Sequence, residues 1–225
     1  MCRWFPAILV LAIVGAIFPA NASVGEASRV GAGWQFIDQK GAPVPDVVVS
    51  LFALDAGVAA PAPGAANPVE VTQRNKTFVP YVTVIAAGGS VAFPNRDSVQ
   101  HHVYSLSRAK RFEIPLYGKE ETQVLIFDKP GVITLGCNIH DWMVGYIVVV
   151  DTPYFGRSGE NGRVQVAGLP AGRYRVEIWH PRLAAKEFSI EAAVPLEGEA
   201  ALAPISLRLK RDLRRTGPLD QSNYP

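Results

Sequence analysis

The chain has 225 residues, 48% hydrophobic and 19% charged, with 20 Gly and 18 Pro; this excludes a disordered or low-complexity polymer and favours many turns between short strands. Its 22 basic and 20 acidic residues leave a formal net charge of +2, which gives no footprint for nucleic acid, so no nucleic-acid partner is expected. At ~100–150 residues per domain, the length admits one large domain or two small ones.

Residues 1–22 carry Arg3, an apolar run from Ala7 to Phe18, and Ala20-Asn21-Ala22, the small-x-small form of a signal-peptidase site. Cleavage before Ser23 and export to the periplasm are expected. The apolar run is shorter than the ~20 residues of a spanning helix, so no stable membrane span is expected after cleavage. Cys2 leaves with the signal, and Cys137 and Met143 are then the one cysteine and the one methionine of the mature chain. No internal disulfide can form, and a lone thiol in an oxidising compartment needs to be buried or occupied.

Trp34 to Ile37 and Val47 to Phe52 read as strands around a turn at Asp38 to Pro43. Asp55 to Pro68 is rich in Ala, Gly and Pro without apolar periodicity and reads as a linker, with a boundary near Asn67. Short β-branched and aromatic runs then recur at Val82 to Val84, Val91 to Phe93, Val103 to Ser105, Thr122 to Ile126, Val132 to Leu135 and Tyr146 to Val150. Gly88-Gly89, Pro94 to Asp97, Gly118 and Pro130-Gly131 punctuate them. After Asp151, strands are expected at Arg163 to Val166, Tyr174 to Trp179 and around Ile205 to Leu209. The mature chain reads as all-β, in a sandwich or barrel.

Neither the segment before Asn67 nor the one after Asp151 has enough strands to close a core alone, so the two are expected to complete each other. Asp38-x-x-Gly41-x-Pro43-Val44 and Gly168-Leu169-Pro170-Ala171-Gly172-x-Tyr174-x-Val176 resemble the two halves of a carboxypeptidase-regulatory-like (transthyretin-like) β-sandwich. The resemblance implies a split sandwich of residues 23–66 and 152–210, with a domain of residues 67–151 inserted into one of its loops and a tail at 211–225.

Cys137-x-x-His140-x-x-Met143 places a thiolate, an imidazole and a thioether on one loop, directly after an expected strand. A second imidazole, His101 or His102, follows the turn Pro94 to Asp97. Two His, one Cys and a weak Met form the donor set of a blue-copper electron-transfer site: thiolate and thioether suit Cu(I), and imidazole also accommodates Cu(II). Taken singly, a lone Cys, Met or His is more often a core or satisfied polar residue; the joint spacing is what points to a metal. Structural zinc prefers four strong Cys or His donors, and a thioether is a poor fourth.

Residues Val69 to Val150 resemble a small cupredoxin of the plastocyanin, pseudoazurin and amicyanin group. The resemblance is carried by Phe78-Val79-Pro80, by Gly88 through Asp97, by His101-His102-Val103, and by Cys137-x-x-His140-x-x-Met143. It implies a Greek-key β-sandwich holding one type 1 copper per chain through His101, Cys137, His140 and Met143. In that family an Asn that braces the ligand loop follows the first ligand His; here His102 takes its place, and the adjacent pair leaves His102 open as the alternative ligand. Asn95 or the backbone near Asn138 is expected to hydrogen-bond the sulfur or brace its loop. By the same resemblance His140, with Trp142 and Pro80 or Ile139 nearby, is the candidate electron port, and Trp142 reads equally as a packing residue. The whole chain also resembles bacterial proteins of the methylamine-utilisation or plastocyanin-like type, which join a cupredoxin to a carboxypeptidase-regulatory-like part.

The expected function is a one-electron carrier between periplasmic redox proteins acting as donor and acceptor. The alternatives are a copper-delivery protein and an interaction module with a metal-stabilised fold. Four histidines are too few for a multicopper oxidase, and no Ser-His-Asp or paired-carboxylate motif supports hydrolysis, so no enzyme is expected. His180 reads as a surface strand-end residue, Arg208, Lys210, Arg211, Arg214 and Arg215 as a solvated strand end, and Asn75-Lys76-Thr77 as a sequon of little meaning.

Overall fold

The structure, a computed structural model, describes residues 29–55, 67–119, 121–185, 188–194, 199–201 and 204–212. The expected signal segment, most of the linker, and Arg214 and Arg215 of the tail lie outside the described residues. The strands in chain order are β1 (Arg29–Asp38), β2 (Val48–Ala53), β3 (Val69–Glu70), β4 (Thr72–Arg74), β5 (Thr77–Val79), β6 (Val82–Ala86), β7 (Gly89–Pro94), β8 (His101–Ser105) and β9 (Phe112–Tyr117). They continue as β10 (Thr122–Phe127), β11 (Gly131–Gly136), β12 (Val144–Val150), β13 (Phe155–Arg157), β14 (Arg163–Pro170), β15 (Gly172–Trp179), β16 (Phe188–Val194), β17 (Glu199–Ala201) and β18 (Ile205–Leu207). Among the described residues no helix is long and apolar enough to cross a membrane.

Strands from the two ends of the chain pair with one another. β1 lies between β14 and β17 and also pairs β18, while β2 lies between β13 and β15, with β16 beyond. Alternation along β14 and β15 turns Val164, Val166, Tyr174, Val176 and Ile178 inward, where they meet Trp34, Phe36, Val49 and Leu51 in one apolar core. This outer body is therefore a sandwich whose sheets each need both ends of the chain. Gly162 is fixed by its φ of 71° and by the Phe36 carbonyl, which leaves no room for a Cβ.

The intervening strands make a second sandwich. One sheet has the order β10-β7-β3 and the other β6-β12-β11-β8-β9; Val91, Phe93 and Phe127 of the first pack on Val103, Ile133, Leu135 and Ile147 of the second. Cys137 and Met143 belong to this same core. The two bodies meet along a seam where Val82, Val148 and Val150 pack with Val48, and where Tyr146 meets Trp179 edge-on at 5.6 Å between ring centroids.

Several strands lie where no strand was expected from the sequence: β3 to β5, β9, β13, β16 and β17. In β9 the signal is interrupted by Pro115, which has no N–H to donate and falls where the β8–β9 register shifts. The hairpin β4–β5 is short, and its turn is made by Asn75 and Lys76, both with positive φ.

Candidate metal centre

The hairpin β11–β12 delivers the first donors. Its strands stay in register to the pair Gly136↔Val144, so the seven residues between them form one closed loop that begins at Cys137 and ends at Met143. The Met143 N–H donates to the His140 carbonyl at 2.9 Å, which folds the end of the loop back over its middle. β8 joins this hairpin through the pair Gly136↔Tyr104, and this contact brings the start of β8, and His101 with it, beside Cys137.

Asn95 shapes the segment that leads into His101. Its side-chain amide donates to the carbonyls of Val99 (2.9 Å) and Tyr117 (3.1 Å), and its oxygen accepts from the Asp97 N–H (2.9 Å). Of the two expected braces, Asn95 instead ties the β7–β8 loop together and to the end of β9, and it is the backbone beside Asn138, at Ile139 and His140, that bonds the sulfur.

Three donor atoms converge. One ligand atom each from His101, Cys137 and His140 lie within 4.8 Å of one another. The sulfur of Cys137 is 3.7 Å from Nδ1 of His140 and 4.0 Å from Nδ1 of His101, with the two imidazole centroids 5.0 Å apart. His101 is 0% exposed, Cys137 4% and Met143 1%, whereas His140 is half-buried. Met143 packs in the same apolar cluster as Cys137 and lines a cavity of about 500 Å³ with it.

His102 is not part of this group. Its Nε2 is 2.8 Å from the Glu113 carboxylate and 3.5 Å from the Asn138 amide, and its buried Nδ1 has no hydrogen-bond partner. What His102 does give the site is its backbone N–H, which hydrogen-bonds the Cys137 sulfur.

The electrostatics favour a thiolate. Burial opposes ionisation of Cys137, but hydrogen bonds from His101 and from the backbone N–H groups of His102, Ile139 and His140 outweigh it and hold the thiol below its ordinary pKa. Burial also opposes charging His101, yet its bonds to Cys137 and Asp97 hold it above the ordinary histidine value. His140 is held below that value by burial and by the nearby charge of His101. A thiolate next to imidazoles with Nδ1 turned toward it is a donor set ready for a soft or borderline cation, and copper fits two imidazoles, a thiolate and a thioether.

The sequence did not single out Asp97 or Lys76 as functional. Asp97 Oδ2 is 2.7 Å from His101 Nε2, and the Trp142 indole donates to the Lys76 carbonyl at 3.2 Å. For Asp97 a signal existed in the spacing, four residues before His101. Trp142 also meets His140 edge-on with centroids 5.2 Å apart and packs partly buried against the core. Trp142, Tyr146, Pro181, Lys210 and Arg211 line one groove of about 1140 Å³, so the strand end of the outer body flanks the metal end of the inner one. His180 is corrected from a surface residue to a buried one, its Nδ1 accepting from the Arg182 N–H at 3.2 Å.

No protein-family model matches the chain, and no curated protein matches it. Among solved structures it is similar to a copper-containing nitrite reductase from Thermus scotoductus SA-01, with 28% identity and a TM-score of 0.37 over 44% of this chain and 25% of that one. The chain thus spans about a quarter of that enzyme's length. It is also similar to a purple cupredoxin from Nitrosopumilus maritimus, with 24% identity and a TM-score of 0.34 over 36% of this chain and 99% of that one. A variant of amicyanin in its reduced Cu(I) form matches with 21% identity and a TM-score of 0.36 over 44% of this chain and 98% of that one.

Proposed function

We propose that this protein is a type 1 copper protein that carries single electrons between periplasmic redox partners. The observation that carries the reading is the convergence of His101 Nδ1, His140 Nδ1 and Cys137 Sγ on one buried point at the end of a β-sandwich. Those three, with Met143 beside them, would hold the ion. Copper bound there supplies the Cu(II)/Cu(I) couple.

The remaining roles belong to the chain. The sandwich core fixes Cys137 and Met143 at the two ends of a hairpin loop, and the β7–β8 loop fixes His101, so the donors keep one arrangement through an electron transfer. Burial of His101, Cys137 and Met143 keeps water away and favours a carrier over a protein that must hand its metal on. His140, half-buried, is the donor nearest solvent, and Ile139 beside it is 49% exposed; this apolar rim is the proposed electron port. Export follows from residues 1–22, and the donor and acceptor are proposed to be periplasmic redox proteins.

Titration of the purified mature chain with Cu(II), read by visible absorption and electron paramagnetic resonance and followed by reduction and reoxidation, tests the reading. One equivalent of copper, an intense thiolate-to-Cu(II) band and a reversible signal are expected. Binding of Cu(I) alone, or copper without the thiolate band, would replace the carrier with copper delivery or a structural metal.

A further inference from the structure

The tip of the β4–β5 hairpin touches both loops that carry the donor residues. Asn75 and Lys76, with φ of 52° and 55°, form its two-residue turn, as a type I′ turn requires. Left-handed backbone at two successive residues turns both N–H groups toward one acceptor: Asn75 donates to Asp97 Oδ1 at 2.7 Å and Lys76 to Asp97 Oδ2 at 2.9 Å. The same Oδ2 is 2.7 Å from His101 Nε2. An ionised carboxylate only accepts, so Nε2 donates to Asp97, and this bond fixes the ring plane with Nδ1 aimed at the Cys137 sulfur. From the same turn, the Lys76 carbonyl accepts the Trp142 indole N–H at 3.2 Å, and the Trp142 ring rests edge-on against His140.

We propose that the Asn75-Lys76 turn is a brace tying the β7–β8 loop to the β11–β12 loop, with Asp97 as the positioning residue that holds His101 directly and Trp142 through the turn. The consequence for electron transfer rests on the copper reading above; the brace itself is made by the chain's own groups. It adds a second tie between two loops whose strands β8 and β11 are laddered at Gly136 and Tyr104. A residue on one loop thereby restrains a ring on the other that it does not contact.

The test uses the metal-free full chain and nuclear magnetic resonance. Two quantities are read: the persistence of the hydrogen-bonded His101 Nε2–H signal against solvent exchange, and hydrogen exchange of the Trp142 indole. Asp97→Asn is expected to lose the protected His101 Nε2–H signal and to speed Trp142 exchange about tenfold, the scale of one lost charged hydrogen bond in a local opening. By reciprocity, Trp142→Phe should speed amide exchange at Asn75 and Lys76. Lys76→Val, a β-branched residue that resists positive φ, should disturb both readouts. Unchanged Trp142 exchange in Asp97→Asn would overturn the brace, even with the His101 Nε2–H signal lost. Should Asp97→Asn not fold, Trp142→Phe decides: unchanged exchange at the turn overturns the proposal. Since no metal is present, a failed copper titration and a failed brace are separate results.

Discussion

His101 and His102 are neighbours in sequence yet stand in separate environments at the start of β8, one ring 4.0 Å from the Cys137 sulfur and the other 2.8 Å from the Glu113 carboxylate. Successive side chains of a strand leave opposite faces, so at most one of an adjacent pair can serve a given site. The register shift between β8 and β9 falls at this pair and lets His102 reach Glu113. His101→Gln is therefore expected to abolish the thiolate-to-Cu(II) band. His102→Gln should retain it, because the backbone N–H that reaches the sulfur survives the substitution. Visible titration of the two variants side by side checks this, and a blue His101→Gln protein would reverse the assignment.

Cys137 and Met143 are expected to separate in their effects. Cys137→Ser removes the soft thiolate, and the blue band should vanish while the fold, whose core changes by a single atom at that position, persists by circular dichroism. Met143→Leu keeps the apolar packing and the Cys137 donor, so the band should remain with a shifted reduction potential, measurable by voltammetry. A Cys137→Ser protein that stays blue would sink the copper reading.

Gly136 is where β8, β11 and the ligand loop come together. A Cβ built there falls 2.8 Å from Cζ and 2.9 Å from Cε1 of Tyr104, closer than packed carbons tolerate. Gly136→Ala, at a half-buried position facing the outer part of one ring, should destabilise the protein by about 1 kcal/mol, the low end for an overpacked site. Tyr104→Ala introduced on top should recover much of the loss. Denaturant unfolding of the two variants decides; additive losses would show that the clash is not with Tyr104.

The outer body should respond to alkali through Tyr174. Burial first, then the nearby Tyr154 and Asp55, push its pKa up to about 12, and its hydroxyl donates to the Pro170 carbonyl at 2.8 Å. The unfolded chain ionises a tyrosine near about 10. Between those values the folded state holds a proton that the unfolded state has lost, so stability is full below about pH 10 and declines as pH rises toward about 12. Tyr117 is raised as well, chiefly by burial, so the difference between wild type and Tyr174→Phe isolates the effect of Tyr174. That difference, followed by thermal melts across the alkaline range, should shrink with rising pH; a constant difference would remove Tyr174 as the titrating group.

Much of the candidate site was legible because its donors are rare residues at fixed spacing on one loop. Cys137, His140 and Met143 need only a hairpin to bring them together, and the strands Val132 to Leu135 and Tyr146 to Val150 announce that hairpin by their β-branched runs. Asp97 was half legible, since a carboxylate four residues before a histidine is a local relationship. The role of Asn75-Lys76 was not: it comes from backbone groups, which every residue possesses, in a hairpin too short to have an apolar period. His180 was misread for a related reason. A histidine between Trp179 and Pro181 looks like a strand end, and its burial comes from the turn that follows, where the N–H groups of Arg182 and Leu183 bond its ring and carbonyl.

What the sequence determined by itself was local chemistry and periodicity: an all-β chain, one cysteine after residue 22, and a donor set suited to copper. Tertiary structure decided which of two adjacent histidines faces the sulfur and which nitrogen it presents. It also decided that Asn95 serves the β7–β8 loop, and that the outer strands flank the metal end. Those outcomes depend on register and on contacts between residues far apart in the chain, where a shift of one position exchanges the two faces of a strand.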